Sequence, residues 1–269
     1  MKLGISMTLN HSSAEQWAQK HLAAGLSSVV FPCTFEEELC KIDAYKKACE
    51  DCGLIIAEVG VWKNILLSDK KERQQNFEFC KRQLELADYV GARCCVNIAG
   101  AKGKIWDGAY KENYAKTTYE EIVKSVQDLL DSVKPKKTFY ALETMPWMHP
   151  DSPEDYLELI KDINRKSFGA HLDIINMIST PKRLLFNEQF TADTFKLLGK
   201  YIKSCHIKDV RLEQPFTVNL KEVACGEGDF NLKNYVNQID ALDEDMPVII
   251  EHLQTEEEYF KAIEYVLNL

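Results

Sequence analysis

The sequence predicts an α/β protein built as a single (β/α)8 barrel. Eight short, mostly apolar runs recur along the 269 residues. Helix-period segments with their own start and stop signals separate the runs. No glycine-rich turn follows the first run, where Met7-Thr-Leu-Asn10 stands instead. Short apolar runs without strict alternation are how parallel strands buried on both faces read. Eight alternating strand and helix units then imply a closed barrel. The rival architecture, a doubly wound open sheet, needs a phosphate-binding glycine turn after its first strand.

The strand candidates fall at 2–7, 28–32, 54–59, 94–98, 138–143, 168–173, 203–207 and 247–251. Between the first two, Ser12-Ser-Ala-Glu15 matches a capping box at a helix start, and Gly25 stands where that helix should stop. Gly53 and Gly91 mark the ends of the next two helices. The fourth strand candidate runs into the longest irregular stretch, Ala99 to Tyr110, which holds three glycines and Trp106. A long loop after a barrel strand is usually functional, so 99–110 is expected to be a lid. Ser152-Pro153-Glu-Asp155 places a cap residue, a proline and two acids at one helix start, and Thr255-Glu-Glu-Glu258 opens the last helix. No proline- or serine-rich linker interrupts the chain, so residues 1–269 are read as one domain.

Composition narrows the function. A net charge of −9 and a pI near 5.3 argue against nucleic acid as the main partner, because phosphate binding needs a basic face. No secretory signal precedes the first strand, and no run reaches the roughly 18 apolar residues of a membrane span. The nine cysteines are odd in number and several lie inside strand or helix patterns, which suggests reduced, buried thiols and a cytoplasmic protein. Cys49-Glu-Asp-Cys52 has the spacing of a redox or zinc pair, but it closes a helix just before Gly53, and packing is the better reading.

Four consecutive strand candidates carry a metal-capable side chain at or near their C-terminal ends. These are Glu143 in Phe139-Tyr-Ala-Leu-Glu143, Asp173 in Gly169-Ala-His-Leu-Asp173, His206 in Lys203-Ser-Cys-His206, and Glu251 in Val248-Ile-Ile-Glu251. In a barrel all four meet at one rim. Three carboxylates and an imidazole around a point make a site for one divalent cation, for which Mn2+ is the first candidate and Mg2+, Co2+ or Zn2+ are alternatives. An acid at a strand end is, taken singly, usually solvated or capping a loop; four in succession is harder to dismiss. A polarised carbonyl acidifies the neighbouring C–H. One glutamate can remove that proton and another can return it, so Glu143 and Glu251 are read as both ligands and the acid/base pair.

These strand ends resemble the xylose isomerase-like TIM barrel superfamily, the sugar isomerase/epimerase group. His206-Ile-Lys208-Asp209-Val-Arg211 is similar to that group's HxKD segment. Cys225-Gly226-Glu-Gly228-Asp229-Phe is similar to its GxGxxx segment, and Ile250-Glu251-His252 to its closing strand. The resemblance spans essentially the whole chain. It implies one divalent metal on Glu143, Asp173, His206 and Glu251, with the two glutamates as acid and base. The implied activity is isomerisation or epimerisation of a small sugar or hydroxy-keto compound through an enediolate. Relatives commonly form dimers or tetramers, which makes a homo-oligomer an expectation too. Three positions depart from ketose 3-epimerases of the group: His149 stands for their glutamate, Asn176 for their histidine, and Arg211 one residue before their arginine, where Leu212 is found. Asn176 also replaces a histidine needed by the three-zinc DNA repair branch. Two alternatives stay open: a metal-dependent lyase or dehydratase of the inosose or dehydroshikimate type on the same fold, and a non-catalytic sugar-binding barrel.

Other residues near strand ends are candidates for substrate contact. Glu58 and Asn97 could bond substrate hydroxyls or the groups behind the ligands, or merely satisfy loop amides. His171 lies two before Asp173 and shares its face, as a layer below the metal or a satisfied interior histidine. Lys208 shares a face with His206 and could offset the carboxylates or hold an enediolate oxygen. Asp209 could orient Lys208 or His206. Arg211 could grip a substrate oxygen, or a surface acid. His252 should point away from Glu251's side unless the strand has ended. Trp62, Trp106 and Trp147 could stack on sugar C–H faces and exclude water, or simply pack. Gly226-Glu-Gly228-Asp229 suits close backbone approach, but its acids repel phosphate, so an unphosphorylated substrate is expected.

Overall fold

A computed structural model describes residues 1–214 and 216–269. Eight parallel strands form a nearly closed barrel: β1 (Lys2–Ile5), β2 (Ser28–Val30), β3 (Ile55–Gly60), β4 (Cys94–Asn97), β5 (Phe139–Glu143), β6 (Phe168–Asp173), β7 (Ile202–Ile207) and, last in the chain, β10 (Pro247–Ile250). Their order around the sheet is β1-β10-β7-β6-β5-β4-β3-β2. The remaining gap, between β1 and β2, is bridged by Ser27 N–H donating to Leu3 O (2.9 Å) and Ser28 Oγ donating to Lys2 O (2.8 Å). Every expected strand is present, with ends displaced by one to two residues at most.

Gly4 permits that closure. A Cβ built there would stand 2.6 Å from both Ser28 O and Ile249 Cδ1. We expect Gly4→Ala to force the two strands apart and to cost about 1–3 kcal/mol, the usual scale of overpacking. Urea unfolding of the variant checks this.

The helices follow their sequence signals with one shift. The cap of α1 (Ala14–Ala23) is Ser13, which accepts from Gln16 N, one residue later than the expected Ser12 box. Gln16 Oε1 instead takes the Ser12 N–H. Gly53 and Gly91, both in the left-handed region, end α2 (Leu39–Cys52) and α3 (Lys70–Val90). After α4 (Lys116–Val133), α5 (Pro153–Ile163) opens with Ser152 accepting from Asp155 N. α6 (Pro181–Leu185), α7 (Asn187–Leu198) and α8 (Leu232–Leu242) follow, and α9 (Glu256–Leu267) has the full Thr255/Glu258 capping box. Between β7 and α8 lies an antiparallel hairpin, β8 (Asp209–Glu213) and β9 (Asn219–Val223), that the sequence reading does not contain.

Alternation along the strands assigns the faces. Cys94, Val96 and Ala141 form a small cluster separate from the main core, which lies between sheet and helices. They point into the barrel, and period-two alternation carries the same face to Glu143 on β5. The facing runs on β6, β7 and the end of β10 are His171/Asp173, Ser204/His206/Lys208 and Ile249/Glu251. The register sets Glu143 opposite His171 and Asp173 opposite His206. All nine cysteines are free thiols. Burial holds the Cys49 thiol up at about 12, so the CxxC spacing is a packing feature.

Candidate metal centre

Glu143, Asp173, His206 and Glu251 converge at the C-terminal mouth of the barrel, each offering a ligand atom within 4.8 Å of the others. All four are buried, between 0% and 5% exposed. His206 Nδ1 lies 2.9 Å from Glu251 Oε2 and 3.3 Å from Glu143 Oε1, so this nitrogen faces the carboxylates. Asp173 Oδ2 is buried and lacks a hydrogen bond of good geometry, although Lys208 Nζ stands 2.6 Å away. A buried carboxylate oxygen with a misdirected partner is what a hard cation satisfies, and the donor set of three carboxylates and one imidazole suits a divalent ion.

Electrostatics agree with the geometry. Burial pushes the Asp173 carboxyl up to about 7 against the pull of Lys208, and Glu251 and Glu143 push it the same way. Burial alone would strip the His206 proton, but Glu251, Glu143 and Glu58 outweigh it and hold the imidazole well above its usual value. Glu251 is held well below the carboxylate range, because His206 and Lys208 overcome its burial. Lys208, itself buried, donates to Glu251 Oε1 (2.6 Å) and lies 3.2 Å from Glu222 Oε2.

A second group lies deeper in the barrel. Glu58 Oε2 is 3.5 Å from His206 Nε2 and 3.7 Å from His171 Nδ1. His171 Nδ1 also meets Ser204 Oγ at 2.5 Å. Glu58, His171 and His206 are grouped closely enough to suggest a second cation. His206 turns its Nδ1 to the four-residue cluster, and the two rings pack edge to face, at 84° with centroids 4.1 Å apart. Glu58 and His171 are therefore a layer beneath the four-residue cluster, away from the mouth.

Several sequence candidates are placed differently from expectation. Asn97 follows inward-facing Cys94 and Val96 by one step, so it points outward. Its Oδ1 accepts from Lys63 N (3.0 Å), and its Nδ2 donates to Lys63 O (2.9 Å) and reaches the Tyr140 hydroxyl and Cys80 of α3. Both ends of its amide are occupied in holding the loop after β3. Asp209 orients neither Lys208 nor His206. Its carboxylate accepts four backbone N–H bonds, from Val210, Gly226, Gly228 and Phe230, at 2.8–3.2 Å. Gly228 is required there, since a Cβ would fall 2.2 Å from Asp209 Oδ1. Arg211 stands on the hairpin, bonded to Glu213 and to Glu227 O, on the wall of a rim cavity of about 630 Å3. Trp62, Trp106 and Trp147 are each about two-fifths exposed and follow β3, β4 and β5 on the same side of the barrel as the cluster.

Three residues join the site that strand-end reasoning did not place there. Asn176 Nδ2 donates to Glu143 Oε1 (3.3 Å), and its backbone N–H to Asp173 Oδ1 (3.1 Å). His252 takes a left-handed backbone (φ 62) just past β10 and turns back, placing Nε2 3.3 Å from Glu251 Oε2 and Nδ1 2.9 Å from Glu222 Oε1. Glu222 arrives on the hairpin, whose sequence signal was the alternation in its first strand, Asp209-Val-Arg-Leu-Glu213.

The chain belongs to the xylose isomerase-like TIM barrel family, whose model matches residues 20–269. No curated protein matches the sequence. Among solved structures, the probable 3-DHS dehydratase of petrobactin synthesis from Bacillus anthracis superposes with a TM-score of 0.75 at 17% identity, over 100% of this chain and 99% of that one. The apo form of 3-keto-D-glucoside 4-epimerase from E. coli gives 0.73 at 16%, over 100% of both chains. A xylose isomerase-like TIM barrel protein from Mycobacterium smegmatis, in complex with magnesium, gives 0.70 at 16%, over 100% of this chain and 95% of that one. At these identities the likeness establishes the fold. Among the described residues no helix is long and apolar enough to cross a membrane.

Proposed function

We propose that this protein is a divalent-metal-dependent enzyme that moves a carbon-bound proton on a small, sugar-like hydroxy-keto compound through an enediolate, isomerising or epimerising it. The observation that carries the reading is the pair Glu143 and Glu251, brought by separate strands to within 3.3 Å and 2.9 Å of His206 Nδ1. A divalent ion on Glu143, Asp173, His206 and Glu251, with Mn2+ the best fit, supplies Lewis acidity toward a carbonyl oxygen. Glu251, kept ionised by its cationic neighbours, serves as base. Glu143 returns the proton on the opposite side, held in orientation by Asn176. Lys208 holds negative charge developing on the substrate oxygens. The rim tryptophans and the 99–110 loop exclude water. The epimerase and magnesium-bound relatives support this reading, and the free thiols fit a cytoplasmic enzyme.

A lyase or dehydratase reading of the same centre has its own observation. The Glu222–His252 pair beside Glu251 is a built proton donor that could serve a departing hydroxyl, and a dehydratase stands among the structural relatives. A Mn2+-dependent assay over ketoses, inososes and hydroxy-keto acids in D2O decides. Deuterium in a recovered isomer supports the isomerase, and an unsaturated product supports the lyase. No exchange with any of them, under metal saturation, would favour a non-catalytic sugar-binding barrel.

Glu58 acts on the metal through His206. With Nδ1 facing the carboxylates, Nε2 lies 3.5 Å from Glu58 Oε2, whose charge acts on the imidazole from behind. Glu58→Gln is expected to weaken Mn2+ binding by about 10- to 100-fold, the usual penalty for removing such a partner. Calorimetric titration checks it. Metal binding should also release protons. A raised imidazole is protonated below its pKa, and a ligand nitrogen must give that proton up. Mn2+ affinity should therefore rise as pH climbs through the range above 6.5. Titrations in buffers of different ionisation enthalpy should report the released proton.

A further inference from the structure

Beside the mouth lies a cleft of about 570 Å3 that the metal centre does not use. Its walls are the loop after β3, the start of α3 and the 99–110 loop, and two of its lining side chains are Trp62 and Trp106. Both indoles are exposed, at 41% and 37%. Trp62 has a positive φ of 53, a conformation that a bulky residue holds only where its surroundings impose it. Its ring turns back to Gly60, where a Cβ would come within 2.3 Å of Nε1, so backbone holds the indole in place. The opposite wall is equally fixed. Asn64 Nδ2 bonds Ala101 O (2.7 Å) and Trp106 O (3.3 Å), and Asn113 bonds Lys102 N and Gly108 O.

The cleft lies at the same end of the barrel as the centre, within a short span of chain. Trp62 is four residues past Glu58, a reach of at most about 14 Å of chain. Trp147 is four residues past Glu143, and its Nε1 donates to Asp107 O, next to Trp106 (2.6 Å). The chemistry of the lining selects a neutral, hydroxylated ring over an anion. The α3 N-terminus opens here but is already capped by Asp69, whose Oδ1 accepts from Glu72 N (2.8 Å), and Glu72 adds a second acid. Lys102 is taken up by Glu121 and Leu66 O, while Lys63, over the Phe79 ring, and Lys104 balance the two acids, so the lining carries no net charge. Two half-exposed indoles on fixed loops, with polar groups in the same lining, suit stacking on sugar C–H surfaces.

We propose that this cleft is a second sugar subsite, so that the substrate class is a neutral glycoside whose outer ring lies between Trp62 and Trp106. The proposal rests on the enzyme reading above, which places the reacting ring at the metal centre. The test is tryptophan fluorescence and calorimetric titration of the metal-free protein with cellobiose, maltose and lactose against glucose and galactose. At least one disaccharide should bind tenfold or more tighter than its monosaccharides. Trp106→Ala should abolish that preference while circular dichroism and Mn2+ binding stay as in the wild type, since the loop is anchored through the Trp106 carbonyl rather than its ring. Equal affinities for one and two rings, no saccharide binding, or a preference that survives Trp106→Ala would each overturn the subsite. Mn2+-dependent deuterium exchange into a monosaccharide alongside any of these results would leave the enzyme reading standing.

Discussion

Replacing Glu251 with Gln is expected to lower kcat by about 10^3-fold, the middle of the range for losing a positioned acid or base. The substitution keeps volume and shape at a site that is 5% exposed, so the barrel should fold. It removes the proposed base, and it removes one carboxylate that faces His206 Nδ1 at 2.9 Å. Mn2+ affinity should fall with activity. The two effects separate by assaying at saturating metal, where the catalytic loss persists and the binding loss does not. Lys208 loses one of its two 2.6 Å partners and keeps Asp173, so thermal stability should change little. Near-normal turnover at saturating metal would remove Glu251 from the acid/base pair.

The largest effect on stability should come from Asp209→Ala. This buried carboxylate gathers four backbone N–H groups from the start of the hairpin and from the Gly226–Phe230 turn. Charge-assisted bonds to backbone donors are stronger than neutral ones, and each buried donor left without an acceptor costs about 1–3 kcal/mol. Some of the freed groups will find water, so a net loss of roughly 3–4 kcal/mol is expected on this basis. Urea denaturation measures it. The hairpin carries Glu222, so Lys208 and His252 should lose a partner and activity should fall as well. A loss under 1 kcal/mol would mean that the turn holds itself together without the clamp.

The barrel and its four-residue cluster were legible because both follow from simple periods. Strands at the expected intervals put Glu143, Asp173, His206 and Glu251 at strand ends, and spacing by two along β5, β6 and β7 put them on one face. For Asn97 strand-end position left two readings open, and parity chooses the loop-amide one: Val96 points inward, so its neighbour points outward, to the Lys63 backbone. His252 escaped because the chain leaves β10 at Ile250 and enters a left-handed turn, which no alternation pattern announces. Asp209 looked like a partner for the adjacent Lys208. Its backbone N–H donors lie 17 to 21 residues away in a glycine turn, a non-local contact that one sequence does not display. The β8–β9 hairpin was missed because its strands are partly exposed and mixed in polarity. With it went Glu222, the hairpin carboxylate beside Lys208 and His252.

The central claim is that Glu143, Asp173, His206 and Glu251 hold one catalytic divalent ion. The most direct measurement is Mn2+ titration of metal-free protein, by calorimetry and by electron paramagnetic resonance of the bound ion, in the wild type and in Asp173→Asn. Asp173 is chosen because it is a ligand in this account without being part of the acid/base pair. The account predicts one equivalent of Mn2+ in the wild type and a loss of at least tenfold in affinity in the variant. Saturable binding that is indifferent to Asp173→Asn, or no binding at all, would contradict it and leave the four side chains as a buried ion-pair network built around Lys208.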